Sequence, residues 1–165
     1  MKGPGTVVFV GGALGELGDA PVFKAFQSFV AAEQPAVYFS ESQGAELAEY
    51  LDANAGNVEA VYAHSYGADT AATQIAKGHG KGVSLYTIDP VSRFPPDFAA
   101  VKRNAGRWVN YLSTSNGAVA DKIALLGGRW GNGPNAYATQ IMSPHDHVSI
   151  ATSFLRKTAR ESSWT

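Results

Sequence analysis

Cysteine is missing from this chain of 165 residues. Its absence excludes disulfide staples, thiolate zinc sites, iron–sulfur clusters and a cysteine nucleophile together. A charge excess is missing too: 13 basic side chains stand against 14 acidic ones. Nothing electrostatic therefore favours nucleic acid or an anionic surface as the partner. No apolar run approaches the roughly 18 residues of a membrane span, so stable membrane insertion is not expected. The N-terminus shows no apolar stretch ending in a small-residue cleavage site, and the chain as written is expected to be cytoplasmic. Repeats, low-complexity tracts and Pro/Ser-rich linkers are also lacking, which gives the expectation of one domain over residues 1–165.

What is present is apolar. A hydrophobic fraction of 45 % with 11 % aromatics is enough for a packed core and excludes a disordered chain. Strand and helix signals alternate from end to end. Thr6–Val10 is a continuous apolar run stopped by Gly11-Gly12, as a strand buried on both faces would be. Asp19 and Pro21 mark a helix start, with Val22, Phe23, Phe26, Phe29 and Val30 at helical spacing and Phe23, Phe26, Phe29 and Val30 expected in the core. Ala36–Phe39 reads as a second strand, and Ser42 as the cap of a helix through Asn54. Val58–Ala63 is a third strand, followed by an alanine-rich helix to about Lys77. Gly82–Ile88 is a fourth, closing on Asp89-Pro90, and Pro95-Pro96-Asp97 opens a short helix. Arg107–Ser113 is a fifth, and Tyr137–Met142 a weaker sixth before a closing helix over Val148–Arg160. Between the last two strands lies a glycine-rich connection, with a helical turn at Asp121–Leu126 at most, long enough to suggest function rather than linkage and able to form at most a flap. Six strands alternating with helices predict an α/β three-layer sandwich around a mostly parallel six-stranded sheet. In such sheets ligands gather at the carboxyl ends of the strands.

The sharpest motif is Ala63-His64-Ser65-Tyr66-Gly67, between the third strand and its helix. A strand that turns abruptly into a helix presents one side chain at the apex, and small neighbours are required because helix and strand approach closely. The helix dipole and the amide after the serine then favour a developing oxyanion. A serine also needs a base, which the four histidines can supply: His64, His79, His145 and His147. His64 adjoins the serine in the wrong direction, and His79 lies in a solvated Gly/Lys loop. His145 and His147 follow the last strand.

Strand, Ala-x-Ser-x-Gly turn and small-residue helix resemble the nucleophile elbow of the α/β-hydrolase superfamily, with alanine for the usual first glycine. The order of elements extends the resemblance over nearly the whole chain. It implies a minimal, lidless core of six parallel strands ordered 2-1-3-4-5-6, lacking the first two strands of the fuller fold. It also implies Ser65 as nucleophile and a base in the loop before the final helix, where His147 is preferred to His145. Asp89 resembles the Asp-Pro acid of pancreatic-type lipases and is preferred to Asp121, which follows the next strand where most members carry their acid. Gly11-Gly12-Ala13 resembles the oxyanion turn, implying the backbone amides of Ala13 and Tyr66 as donors. Trp130, Phe94 and Tyr137 are pocket candidates, with packing expected for two of the three.

The activity implied is that of a serine carboxylesterase or lipase-like hydrolase acting on a small-molecule acyl ester, with no metal and no organic cofactor. A thioesterase or acyltransferase would use the same triad, and a non-catalytic α/β binding module would keep the fold alone. Two other readings rank lower. The glycines at 11, 12, 15 and 18 do not make a dinucleotide fingerprint, and His145 and His147 at i and i+2 in a loop are a weak metal pattern. Oligomeric state is not legible.

Overall fold

The computed structural model describes residues 5–12 and 21–162. Among them run, in order, β1 (Thr6–Val10), α1 (Pro21–Ala31), β2 (Ala36–Phe39), α2 (Gly44–Ala53), β3 (Val58–His64), α3 (Tyr66–Ala76), β4 (Ser84–Ile88), α4 (Phe98–Asn104) and β5 (Arg107–Ser113). Then come α5 (Val119–Gly127), a 3-10 turn (Gly133–Ala136), β6 (Thr139–Ser143) and α6 (Ser149–Ser162). The six strands form one sheet in the order β2-β1-β3-β4-β5-β6, every neighbouring pair parallel. The order reverses at β1, which leaves a crevice beyond the carboxyl ends of β1 and β3.

Alternation along the strands builds two cores. In β1, Val8 and Val10 join the layer covered by α2, α3 and α4, while Val7 and Phe9 face α1 and α6. The first core is close-packed because Ala68, Ala71 and Ala72 let α3 lie against the sheet; all three are fully buried. Trp108 and Trp130 fill the space that opens towards α4, both against Phe98. The second core is aromatic, with Phe9 edge-on to Phe29 at 5.1 Å and to Phe26 at 6.3 Å.

Local chemistry explains several element ends. The Asp97 carboxylate accepts from the amides of Ala99 and Ala100, a cap worth about 1 kcal/mol. Gly128, at φ 92°, stops α5 in the left-handed conformation. Among the described residues no helix is long and apolar enough to cross a membrane.

The structure departs from the sequence-based expectations in three places. Phe23 and Val30 are exposed rather than core, because a helix buries only one stripe and that stripe of α1 runs through Val22, Phe26 and Phe29. Ser42 is not a cap: Gln43 occupies that position, and the Ser42 hydroxyl pairs with that of Ser40. The connection between β5 and β6, expected to hold at most a helical turn at Asp121–Leu126, contains a full helix, α5. The chain after it is tied down by an isolated bridge between Val91 and Arg129 and by bonds from Ser92 N–H to Gly128 and from Trp130 N–H to Pro90.

Candidate active site

Ser65 sits between the last residue of β3 and the first of α3, with φ 57° and ψ −127°. For a non-glycine residue that conformation costs on the order of 1–3 kcal/mol. The turn is held by the Ser65 N–H donating to Ile88 O at 3.1 Å and the Val91 N–H donating to Ser65 O at 3.2 Å. Close approach explains the small residues. A methyl group on Gly67 would lie 2.4 Å from Gly11 O and 2.6 Å from Val10 O, and one on Gly12 would lie 2.8 Å from Ser65 Cβ. The loop leaving β1 therefore runs directly beside the serine. Tyr66 opens α3, so its amide is among the first-turn N–H groups that have no intrahelical acceptor. Ala13 lies outside the described residues.

Residues far apart in sequence meet here. The His147 Nδ1 lies 2.6 Å from Asp89 Oδ2, and its Nε2 lies 3.0 Å from Ser65 Oγ. The carboxylate assigns the tautomer: Nδ1–H donates to Asp89, which leaves the Nε2 lone pair to accept the serine hydroxyl proton. All three residues are buried, Asp89 completely. Asp89 follows β4 with φ 40°, its other oxygen accepting the Ser113 N–H at 3.2 Å.

The alternative candidates fall elsewhere. His145 is exposed; its carbonyl accepts from the Ser113 hydroxyl at 2.6 Å. Asp121 does not reach the imidazole ring but accepts the backbone N–H of His147 at 2.8 Å. Burial is the strongest influence on the Asp121 carboxyl and would raise its pKa. Hydrogen bonds from the Ser115 hydroxyl, the His147 and Ala118 amides and Arg129 outweigh it, holding the carboxyl down at about 2. Phe94 is 89 % exposed, whereas Trp130 and Tyr137 pack against Phe98. Among the described residues no three His, Cys, Asp or Glu side chains converge as metal ligands would.

Two residues of the site are not singled out by sequence reasoning. His64 is buried with its ring centroid 4.7 Å from that of His147, and its Nε2–H donates to the His147 carbonyl at 2.7 Å. Burial, then repulsion from His147, pushes its pKa down to about 4, so it is neutral at ordinary pH. Arg129, its side chain 5 % exposed, places one terminal nitrogen 2.9 Å from Asp89 Oδ2 and 3.1 Å from Asp121 Oδ1. The sequence signals Arg129 only as a lone cation in the glycine-rich stretch Gly127-Gly128-Arg129-Trp130-Gly131.

No protein-family model matches the chain, and no curated protein matches its sequence. Among solved structures, it is similar to the crystal structure of the ydeN gene product from B. subtilis, with a TM-score of 0.67. That match covers 97 % of this chain and 98 % of the other at 11 % sequence identity, which is a likeness of fold.

Proposed function

We propose that this chain is a serine hydrolase of the α/β-hydrolase type that cleaves carboxylic esters through an acyl-enzyme on Ser65. The observation that carries the reading is the Ser65–His147–Asp89 chain of hydrogen bonds at 3.0 and 2.6 Å, at the carboxyl ends of the strands beside a glycine turn. His147 Nε2 takes the hydroxyl proton as Ser65 Oγ attacks the ester carbonyl, and Asp89 stabilises the imidazolium that forms. The oxyanion accepts from the Tyr66 amide and, by resemblance to the hydrolase turn, from that of Ala13. Collapse of the tetrahedral species breaks the bond to the alcohol oxygen, which takes the proton from Nε2. Water activated by the same nitrogen then attacks the acyl-serine and returns the hydroxyl to Ser65.

The test is hydrolysis of p-nitrophenyl esters from acetate to octanoate by wild type and Ser65→Ala. Turnover that falls by about 10⁴-fold or more in the variant is expected. Wild-type turnover that survives unchanged in Ser65→Ala would place the chemistry elsewhere.

A further inference from the structure

We propose that Arg129 and Asp121 are positioning residues for His147, joined with Asp89 in one buried charge cluster that grips the base at both its ring and its backbone. The inference rests on His147 being the base of the proposed hydrolase. Two completely buried carboxylates, Asp89 and Asp121, need a counter-charge, and Arg129 supplies it to both from one nitrogen, at 2.9 and 3.1 Å. Its other terminal nitrogen donates to Ser115 O at 3.1 Å and Asn116 Oδ1 at 3.4 Å, which fixes the guanidinium to the β5–α5 connection. Asp121 Oδ1, one of the atoms Arg129 touches, also accepts the His147 N–H. His147 is thus held at Nδ1 by one acid and at its amide by the other.

The arrangement has an electrostatic consequence. Arg129 and the His147 Nδ1–H share a single oxygen, Asp89 Oδ2. The guanidinium draws on the same negative charge that would stabilise an imidazolium, and Asp121 restores part of it. Among the described residues, the other groups facing the ring are Ser65 and the neutral His64 from the end of β3. On the loop of His147 itself, His145 is exposed and the Asp146 carboxylate caps α6 through the Val148 and Ser149 amides. Removing the cation makes protonation of His147 easier, and removing the Asp121 charge makes it harder.

The experiment follows the His147 ring by NMR titration in wild type, Arg129→Gln, Asp121→Asn and the double variant, beside the pH profile of fluorophosphonate labelling in each. The half-point of the titration, and of the acid limb of labelling, is expected to rise by about one pH unit in Arg129→Gln. It should fall in Asp121→Asn and return towards wild type in the double variant. Arg129→Lys keeps the charge and should keep the half-point while slowing labelling, because an ammonium cannot span both acids in the same way. A loss of packing alone would not move the half-points in opposite directions. Unmoved half-points in folded variants would overturn the inference. Absence of labelling in folded wild type would instead overturn the hydrolase reading, while the ring titration would still decide the charge cluster.

Discussion

Asp89→Asn is expected to slow ester hydrolysis by about 10⁴-fold while the sheet stays folded, the size of effect that follows when a triad carboxylate becomes an amide. The physical reason lies in one hydrogen atom. Asp89 Oδ2 accepts the Nδ1–H of His147 at 2.6 Å and so keeps a lone pair on Nε2 towards Ser65. An asparagine that turns its NH₂ towards Nδ1 donates instead, and the ring proton moves to Nε2, where it can no longer accept from serine. Arg129, 2.9 Å from the same Oδ2 position, favours the amide oxygen there, and even in that orientation a neutral amide no longer stabilises the imidazolium that forms. Steady-state kcat/KM and the thermal midpoint of both proteins check it. Asp121→Asn should cost far less activity, since an asparagine oxygen can still accept the His147 amide. Activity within tenfold of wild type in Asp89→Asn would remove Asp89 from the mechanism.

The second large effect concerns stability and needs no substrate. His64 has its pKa pushed down to about 4 by burial, against an ordinary value of 6.5. Above pH 6.5 the imidazole is neutral whether the chain is folded or not, and the fold has its full stability. As pH falls below 6.5 the unfolded chain takes up a proton that the folded chain refuses, until the folded value near 4 is reached. The native state therefore loses about 3 kcal/mol across that window on account of this side chain. Urea unfolding at about pH 7.5 and about pH 4.5 should show that loss in wild type and not in His64→Gln. Equal acid-side losses in the two proteins would mean that His64 is not buried neutral against His147.

Much of the fold was legible because it rests on short-range patterns. The apolar run of β1, the alanines of α3 and the Asp97 cap each declare themselves within a few residues, and alternation of strand and helix leads to a parallel sheet with two covered faces. What escaped depends on through-space neighbours. Phe23 and Phe29 look alike in the periodicity of α1, yet only Phe29 is buried against Phe9. The helix α5 is short, and the glycines at 127, 128, 131 and 133 give its surroundings the composition of a loop. At the site, the motif around Ser65 is local and readable. Asp89 and His147 are preferred only through the resemblance, because Asp89 and Asp121 both sit beyond strand ends and differ in whether they meet the ring or the backbone of His147. Arg129 is invisible without coordinates, since its partners lie 40 and 8 positions away in the chain.

A serine hydrolase of this kind requires Ser65 to be an activated nucleophile. Treating the folded protein with a fluorophosphonate probe and weighing it intact, beside Ser65→Ala, tests that without knowledge of the substrate. One adduct per chain on wild type, mapped to the peptide holding Ser65 and missing from the variant, is the expected result. An unmodified wild type whose fold is intact would contradict a catalytic serine and leave this fold as a binding module.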